Sequence, residues 1–131
     1  MKKIKSLVLL SLILFLGASC EEKTFQEVYS YDVFSFHSSG INGIANLTIV
    51  RNYFTEKGCI VTGKIFTADN EADLDKQAIA LFDANKAKIN IDELASRITE
   101  GNISFSYGLV KSSNDENVTN WVKEEKYEIN K

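Results

Sequence analysis

The stretch Asn102-Ile103-Ser104-Phe105-Ser106-Tyr107-Gly108-Leu109, NISFSYGL, decides the fold. Ile103, Phe105, Tyr107 and Leu109 alternate with Ser104, Ser106 and Gly108, so an extended chain here is apolar on one side and polar on the other. Such a strand is half-buried, and something must cover its apolar side. The residues just before it supply the cover. From Asn70, which with Asp73 makes a partial capping signal, Leu74, Ala78, Leu81 and Phe82 recur at the spacing of one helical face. A second, shorter helix follows, with Asn90 and Glu93 at capping-box spacing, an apolar stripe of Ile91, Leu94, Ala95 and Ile98, and Gly101 as its C-terminal cap. Lys88 to Ile91 reads alternatively as a short strand.

Working further back, Thr24 to His37 is rich in Phe, Tyr and Val. Tyr29, Tyr31 and Val33 alternate before the phase slips to Phe34 and Phe36, which predicts a strand with a bulge or bend near Val33-Phe34. Ser38 to Gly43 is a turn. Ile44 to Phe54 and Cys59 to Thr67 read as two more strands, joined by a hairpin at Thr55-Glu56-Lys57-Gly58. Beyond the opening stretch, Ser112 to Asn117 is a polar turn. Val118 to Ile129 is an edge strand or, alternatively, a helix, with Trp121, Tyr127 and Ile129 on one face and Lys123 and Glu125 between them. The order βββααββ predicts an α+β fold, an antiparallel sheet of about five strands with one or two helices packed on one face. The alternative is a β-sandwich or barrel with a helical insertion. No internal repeat or low-complexity tract is evident, and the chain has no proline.

The N-terminus has a different logic. Lys2, Lys3 and Lys5 precede an uncharged, mainly Leu, Val and Ile segment from Ser6 to Ser19, which ends in Gly17, Ala18 and Ser19. That order is the one of a secretory signal peptide, and fourteen uncharged residues fall short of the ~20 a spanning helix needs. The small residues before Cys20, in LGASC, resemble the lipobox of bacterial lipoproteins, with Leu16 four residues ahead of the cysteine and Gly17 where the pattern usually has Leu. The resemblance covers the leader alone; no family is recognised for the mature domain. It implies cleavage before Cys20 and lipid attachment to its sulfur, so that acyl chains hold the protein to a membrane it does not cross. It also implies a place in the bacterial envelope, at the outer membrane, on its periplasmic or its surface face. Glu21 and Glu22 resemble the acidic tract that some lipoproteins carry as a cue for export to the surface. The chain thus divides into a signal peptide, 1–19, an acylated cysteine with a short tether, 20–23, and a single small domain, 24–131.

The mature chain has 12 Lys and Arg against 18 Asp and Glu, a formal charge of −6. Such a balance repels phosphate backbones, which disfavours nucleic acid as a partner. With Cys20 consumed, Cys59 stands alone in the apolar run Gly58-Cys59-Ile60-Val61 and reads as a buried small hydrophobe. The single histidine, His37, rules out sites built on several histidines, and no G-x-S-x-G elbow accompanies it. The acidic run Asp69 to Asp75 has Leu74 and Ala80 where a calcium loop needs glycine and a bidentate glutamate, so it reads as the acidic start of a helix. Gly40 to Gly43 is neither a phosphate nor a dinucleotide loop. The adjacent carboxylates Asp92-Glu93 and Glu124-Glu125 point apart. Asn46, Asn102 and Asn117 match glycosylation patterns that a bacterial lipoprotein leaves bare.

No catalytic residue, metal ligand or cofactor is thereby assigned, and the single assigned site is lipid attachment at Cys20. Aromatics remain the feature above background, with Phe25, Tyr29, Tyr31, Phe34, Phe36, Tyr53 and Phe54 early and Trp121 and Tyr127 late. Most belong to the core, and an exposed cluster would mark a binding patch. The expected function is a membrane-anchored, non-catalytic binding or assembly module with a protein partner in the envelope, an inhibitor or immunity-type protein being one form. The alternative is a carrier of a lipid or sugar in a pocket between helices and sheet. Intact-mass spectrometry of protein from its native membrane should show a mature N-terminus at Cys20 carrying diacylglycerol and acyl chains, absent in Cys20→Ala; an unmodified chain cut elsewhere would refute the anchor.

Overall fold

A computed structural model describes residues 24–40, 42–113 and 118–131. The leader, Cys20 and the tether of 20–23, together with Ile41 and the end of the predicted turn at 114–117, lie outside the described residues. The element order is β1 (Phe25–Ser38), α1 (Gly43–Glu56), β2 (Val61–Ala68), α2 (Glu71–Lys86), α3 (Ile91–Arg97), β3 (Asn102–Lys111) and β4 (Asn120–Asn130). The strands form one antiparallel sheet in the order β2-β1-β3-β4. The fold is α+β as expected, with four strands rather than five and three helices rather than one or two.

The missing strand is the segment expected over Ile44 to Phe54, which is helix α1. Its β-branched residues resemble a strand locally, yet the side chains it buries are Asn46, Val50, Tyr53 and Phe54, a helical face. Ile44, by contrast, is 84% exposed. The buried face starts on a polar residue, which hid the period. Asn46 is tolerated inside because its Nδ2 donates to the Glu100 carbonyl at 2.9 Å and its Oδ1 accepts from Thr99 Oγ1 at 3.3 Å. Thr55 to Gly58 is accordingly no hairpin. The Gly58 N–H donates to the Thr55 carbonyl and the Cys59 N–H to that of Phe54, closing α1 with a Schellman motif whose left-handed residue is Gly58, φ 72°.

The other two helices start where their caps predict. Asn70 Oδ1 accepts from the Asp73 N–H at 3.0 Å, and Asn90 Oδ1 from the Glu93 N–H at 3.1 Å. In α3 the Tyr53 hydroxyl completes the cap, accepting from the Asn90 N–H at 3.0 Å and donating to Glu93 Oε1 at 2.9 Å. Lys88 to Ile91 is not a strand, and Gly101 lies beyond the end of α3 at Arg97, in the connection to β3.

All three helices pack on the face of the sheet presented by Tyr29, Tyr31, Val33, Phe105, Tyr107 and Leu109, and these side chains with Val50, Phe54, Phe82 and Leu94 form the core. The core is aromatic and bolted by hydroxyls. Tyr107 stacks on Phe82 with centroids 5.1 Å apart, donates to the Cys59 carbonyl at 2.7 Å and accepts from Asn85 Nδ2 at 3.1 Å. Tyr31 donates to the Ala78 carbonyl at 2.8 Å, and Tyr29 to Asp75, whose carboxyl that bond, with Lys111 beside it, holds below the usual range.

All five tyrosines are pushed above their ordinary pKa of ~10, burial being the first cause at each, with Tyr127 raised to about 12. The unfolded chain releases these protons near pH ~10 and the folded chain only above it, so the stability they contribute is complete below pH ~10 and lost as pH rises through the folded values. The thermal midpoint followed by circular dichroism should therefore hold steady from neutrality to pH ~9 and fall steeply above ~10, with tyrosinate absorbance rising together with unfolding. Tyrosinate appearing in a chain that is still folded would contradict this packing.

Candidate functional site

With the helices gathered on one side, the opposite face of the sheet is left without a covering element among the described residues. Val28 of β1 pairs with Ile65 of β2, Val110 of β3 with Trp121 of β4, and Phe34 of β1 lies beside them, forming an apolar band across the four strands. Below it lie Ser104 and Ser106 of β3, Glu124 and Lys126 of β4, and His37 of β1.

Trp121 was expected on the same face as Tyr127 and Ile129. A register shift between Leu109 and Val110 separates them: Leu109 pairs with Lys123, whereas Val110 pairs with Trp121. The extra residue sends Val122 towards the core and turns Trp121 to the uncovered face, where it is 46% exposed. There its ring meets Phe34 edge to face with centroids 4.9 Å apart. Both rings lie over Gly108, where a Cβ would come within 2.5 Å of Trp121 Cζ3 and 2.8 Å of Phe34 Cδ2. Absence of a side chain at Gly108 is what seats the pair. The described aromatics thus divide into a set packed in or against the core and a pair on the uncovered face, Trp121 exposed and Phe34 half-buried.

A pocket of about 410 Å³ opens beside Trp121, lined by Ser35, His37, Ser104, Ser106, Glu124 and Lys126 among others. A second hollow of about 290 Å³ shares His37 and Ser104 with it and continues past Glu128. Ser35 is placed by an irregularity in β1 between Phe34 and His37, just beyond the bend expected near Val33-Phe34; its φ of 54° is left-handed for a non-glycine residue, at a cost of order 1–3 kcal/mol. Ser106 is 3% exposed, yet its hydroxyl has no hydrogen-bond partner among the described residues. An unsatisfied buried hydroxyl costs about 1–3 kcal/mol.

Charge is distributed unevenly between the two faces of β4. On the helix side Lys123 pairs with Asp83 at 3.0 Å and Glu125 with Lys86 at 3.3 Å. On the open side Glu124, Lys126 and Glu128 make no ion pair among the described residues. The adjacent carboxylates Glu124 and Glu125 therefore point to opposite faces, as their spacing implies.

No protein-family model, curated protein or solved structure matches the chain.

The remaining candidates are accounted for by structure. His37 sits opposite Ser104 in the ladder and is exposed, with no hydrogen bond from its ring to a serine or a carboxylate among the described residues, so no activated nucleophile is assembled around it. Cys59 is fully buried, its thiol pointing at the Asn85 carbonyl at 3.5 Å, and burial pushes its pKa up, opposite to what a reactive thiol requires. In the acidic run, the Asp73 N–H donates to Asn70, the cap of α2, and Asp75 holds Tyr29 and Lys111. Asn46 is inside, bonded to Glu100, and Asn117 lies outside the described residues.

Ser104, Ser106 and Gly108 were read from sequence as the polar side of β3, with no sign there of the rings that lie over Gly108. The bulge that delivers Trp121 leaves no such mark. Gly108→Ala should displace the Trp121 ring, shifting its fluorescence to the red and costing about 1–3 kcal/mol in urea unfolding; unchanged emission would show that the ring is not seated on this strand.

Proposed function

We propose that this chain is a non-catalytic binding module, tethered to a bacterial envelope membrane through Cys20 and docking a protein partner on the uncovered face of its sheet. The observation that carries this reading is Trp121 with Phe34, an aromatic pair set on the side of the sheet away from the core and flanked by Val110, Val28 and Ile65. Large aromatics earn their place on a surface where a partner desolvates them, and tryptophan is prominent among residues that dominate such contacts. The unpaired charges of β4 on the same face give a polar rim. The mature charge of −6 favours a basic partner, which fits an inhibitor or immunity-type role.

The geometry lends less support to a carrier with a cavity between helices and sheet. That space is filled by Tyr31, Tyr53, Phe54, Phe82, Phe105 and Tyr107, and the hollows noted above lie on the outer face. No helix of the described residues is long and apolar enough to cross a membrane. The test is affinity capture from detergent-solubilised native membranes, with wild type beside Trp121→Ala and folding of both checked by circular dichroism. A protein recovered reproducibly by wild type and lost with Trp121→Ala is expected. Recovery of no reproducible protein, or of one indifferent to Trp121, overturns the reading.

A further inference from the structure

We propose that the pocket beside Trp121 is a saccharide subsite, which seats a neutral pyranose ring against the indole and extends along β3 to a second ring. This goes beyond protein docking, because it assigns the polar half of the uncovered face a small-molecule ligand of its own. The first support is Ser106. Its hydroxyl is nine-tenths buried in the lining of the pocket and has no partner among the described residues, so it is a polar group waiting for one. Ser35, itself the left-handed residue of the β1 irregularity, adds a second hydroxyl-bearing side chain to the lining, and such strain accumulates where a side chain is being positioned for use. Ser104, His37, Glu124 and Lys126 complete the lining, and none makes a side-chain hydrogen bond or ion pair among the described residues.

The chemistry of this lining selects the ligand class. Donors and acceptors are mixed: hydroxyls that do both, a carboxylate that accepts, an ammonium that donates, and an imidazole. A sugar ring matches such a set, since each of its hydroxyls donates and accepts while its C–H face packs on an aromatic ring. A lipid would strand the polar groups without partners. A phosphorylated or otherwise anionic ligand would meet Glu124 and Glu128 on a mature chain of formal charge −6, and an organic cation would meet Lys126. The volume of about 410 Å³ lies within the range of small-molecule sites, ~300–1,000 Å³. The adjoining hollow of about 290 Å³, which shares His37 and Ser104, offers the next ring its place.

Trp121 is the single tryptophan of the chain, so intrinsic fluorescence reports on this pocket alone. The mature protein, purified in a detergent without a sugar head group, is titrated with maltotriose, cellotriose, triacetylchitotriose and mannotriose, and with a neutral tripeptide as control. At least one saccharide should give a saturable change in emission at millimolar concentration or below, with the tripeptide silent. Ser106→Ala should weaken that binding about tenfold while its thermal midpoint stays equal to or above wild type, because the variant removes an unsatisfied hydroxyl rather than a bond. Lys126→Ala should weaken it without unfolding. Four silent saccharides, a response to the tripeptide instead, or an unaltered affinity in both variants overturns the subsite. Saccharide binding with no protein captured from membranes would leave the subsite standing and remove the docking reading; the reverse pattern would do the opposite.

Discussion

The side chain of Tyr107 joins the sheet to the helices, and the arrangement of both layers follows from it. Its ring stacks on Phe82 of α2 and packs against Phe54 of α1, and its hydroxyl bonds at once to the Cys59 carbonyl, just past the end of α1, and to Asn85 in the last turn of α2. A phenylalanine would fill the same volume and leave a buried carbonyl and a buried amide unmatched. The same device recurs at Tyr29, Tyr31 and Tyr53, so hydrophobic area and hydrogen bonding arrive in one residue type. A domain of this size has little area to spare, and aromatic residues that also specify position let it settle on one packing.

Gathering every helix on one side has a consequence for the other side. A sheet face with no covering layer is ordinarily polar, and most of this one is, through Ser104, Ser106, Glu124 and Lys126. Phe34 and Trp121 depart from that rule, and each sits next to one of the sheet's register shifts, Phe34 beside that between Phe34 and His37 and Trp121 beside that between β3 and β4. The same face contains the left-handed Ser35 and the unsatisfied Ser106. Places where a sequence violates its own folding rules without structural return are where function is to be sought.

Much of the fold was legible. The alternation through Ile103, Phe105, Tyr107 and Leu109 located the central half-buried strand, and Asn70 and Asn90 marked two helix starts to the residue. Legibility failed where tertiary context outweighed local pattern. In α1 the buried position that begins the helical face is Asn46, whose amide is satisfied by Glu100 and Thr99 more than fifty residues away, and no local signal announces that partner. Trp121 has the same parity as Tyr127, and a single extra residue in β4 inverts its side without altering composition. The uncovered face was invisible for a related reason: mistaking α1 for a strand removed a third of the helical cover whose one-sidedness defines that face.

The order β2-β1-β3-β4 also governs when the chain can fold. β1, the first strand made, finds its central neighbour in β3, with Ser38 opposite Ile103 and Tyr29 opposite Lys111. Closing that pair spans most of the domain, and β4 must follow before the sheet is complete. Until β3 has been synthesised, Tyr29 and Tyr31 have half their sheet environment missing, and Tyr107, which ties the helices down, does not yet exist. Long-range closure of this kind slows folding. A topology that withholds its central pairing until the last quarter of the chain leaves the earlier segments without their strand partners for most of the time the polypeptide is being made.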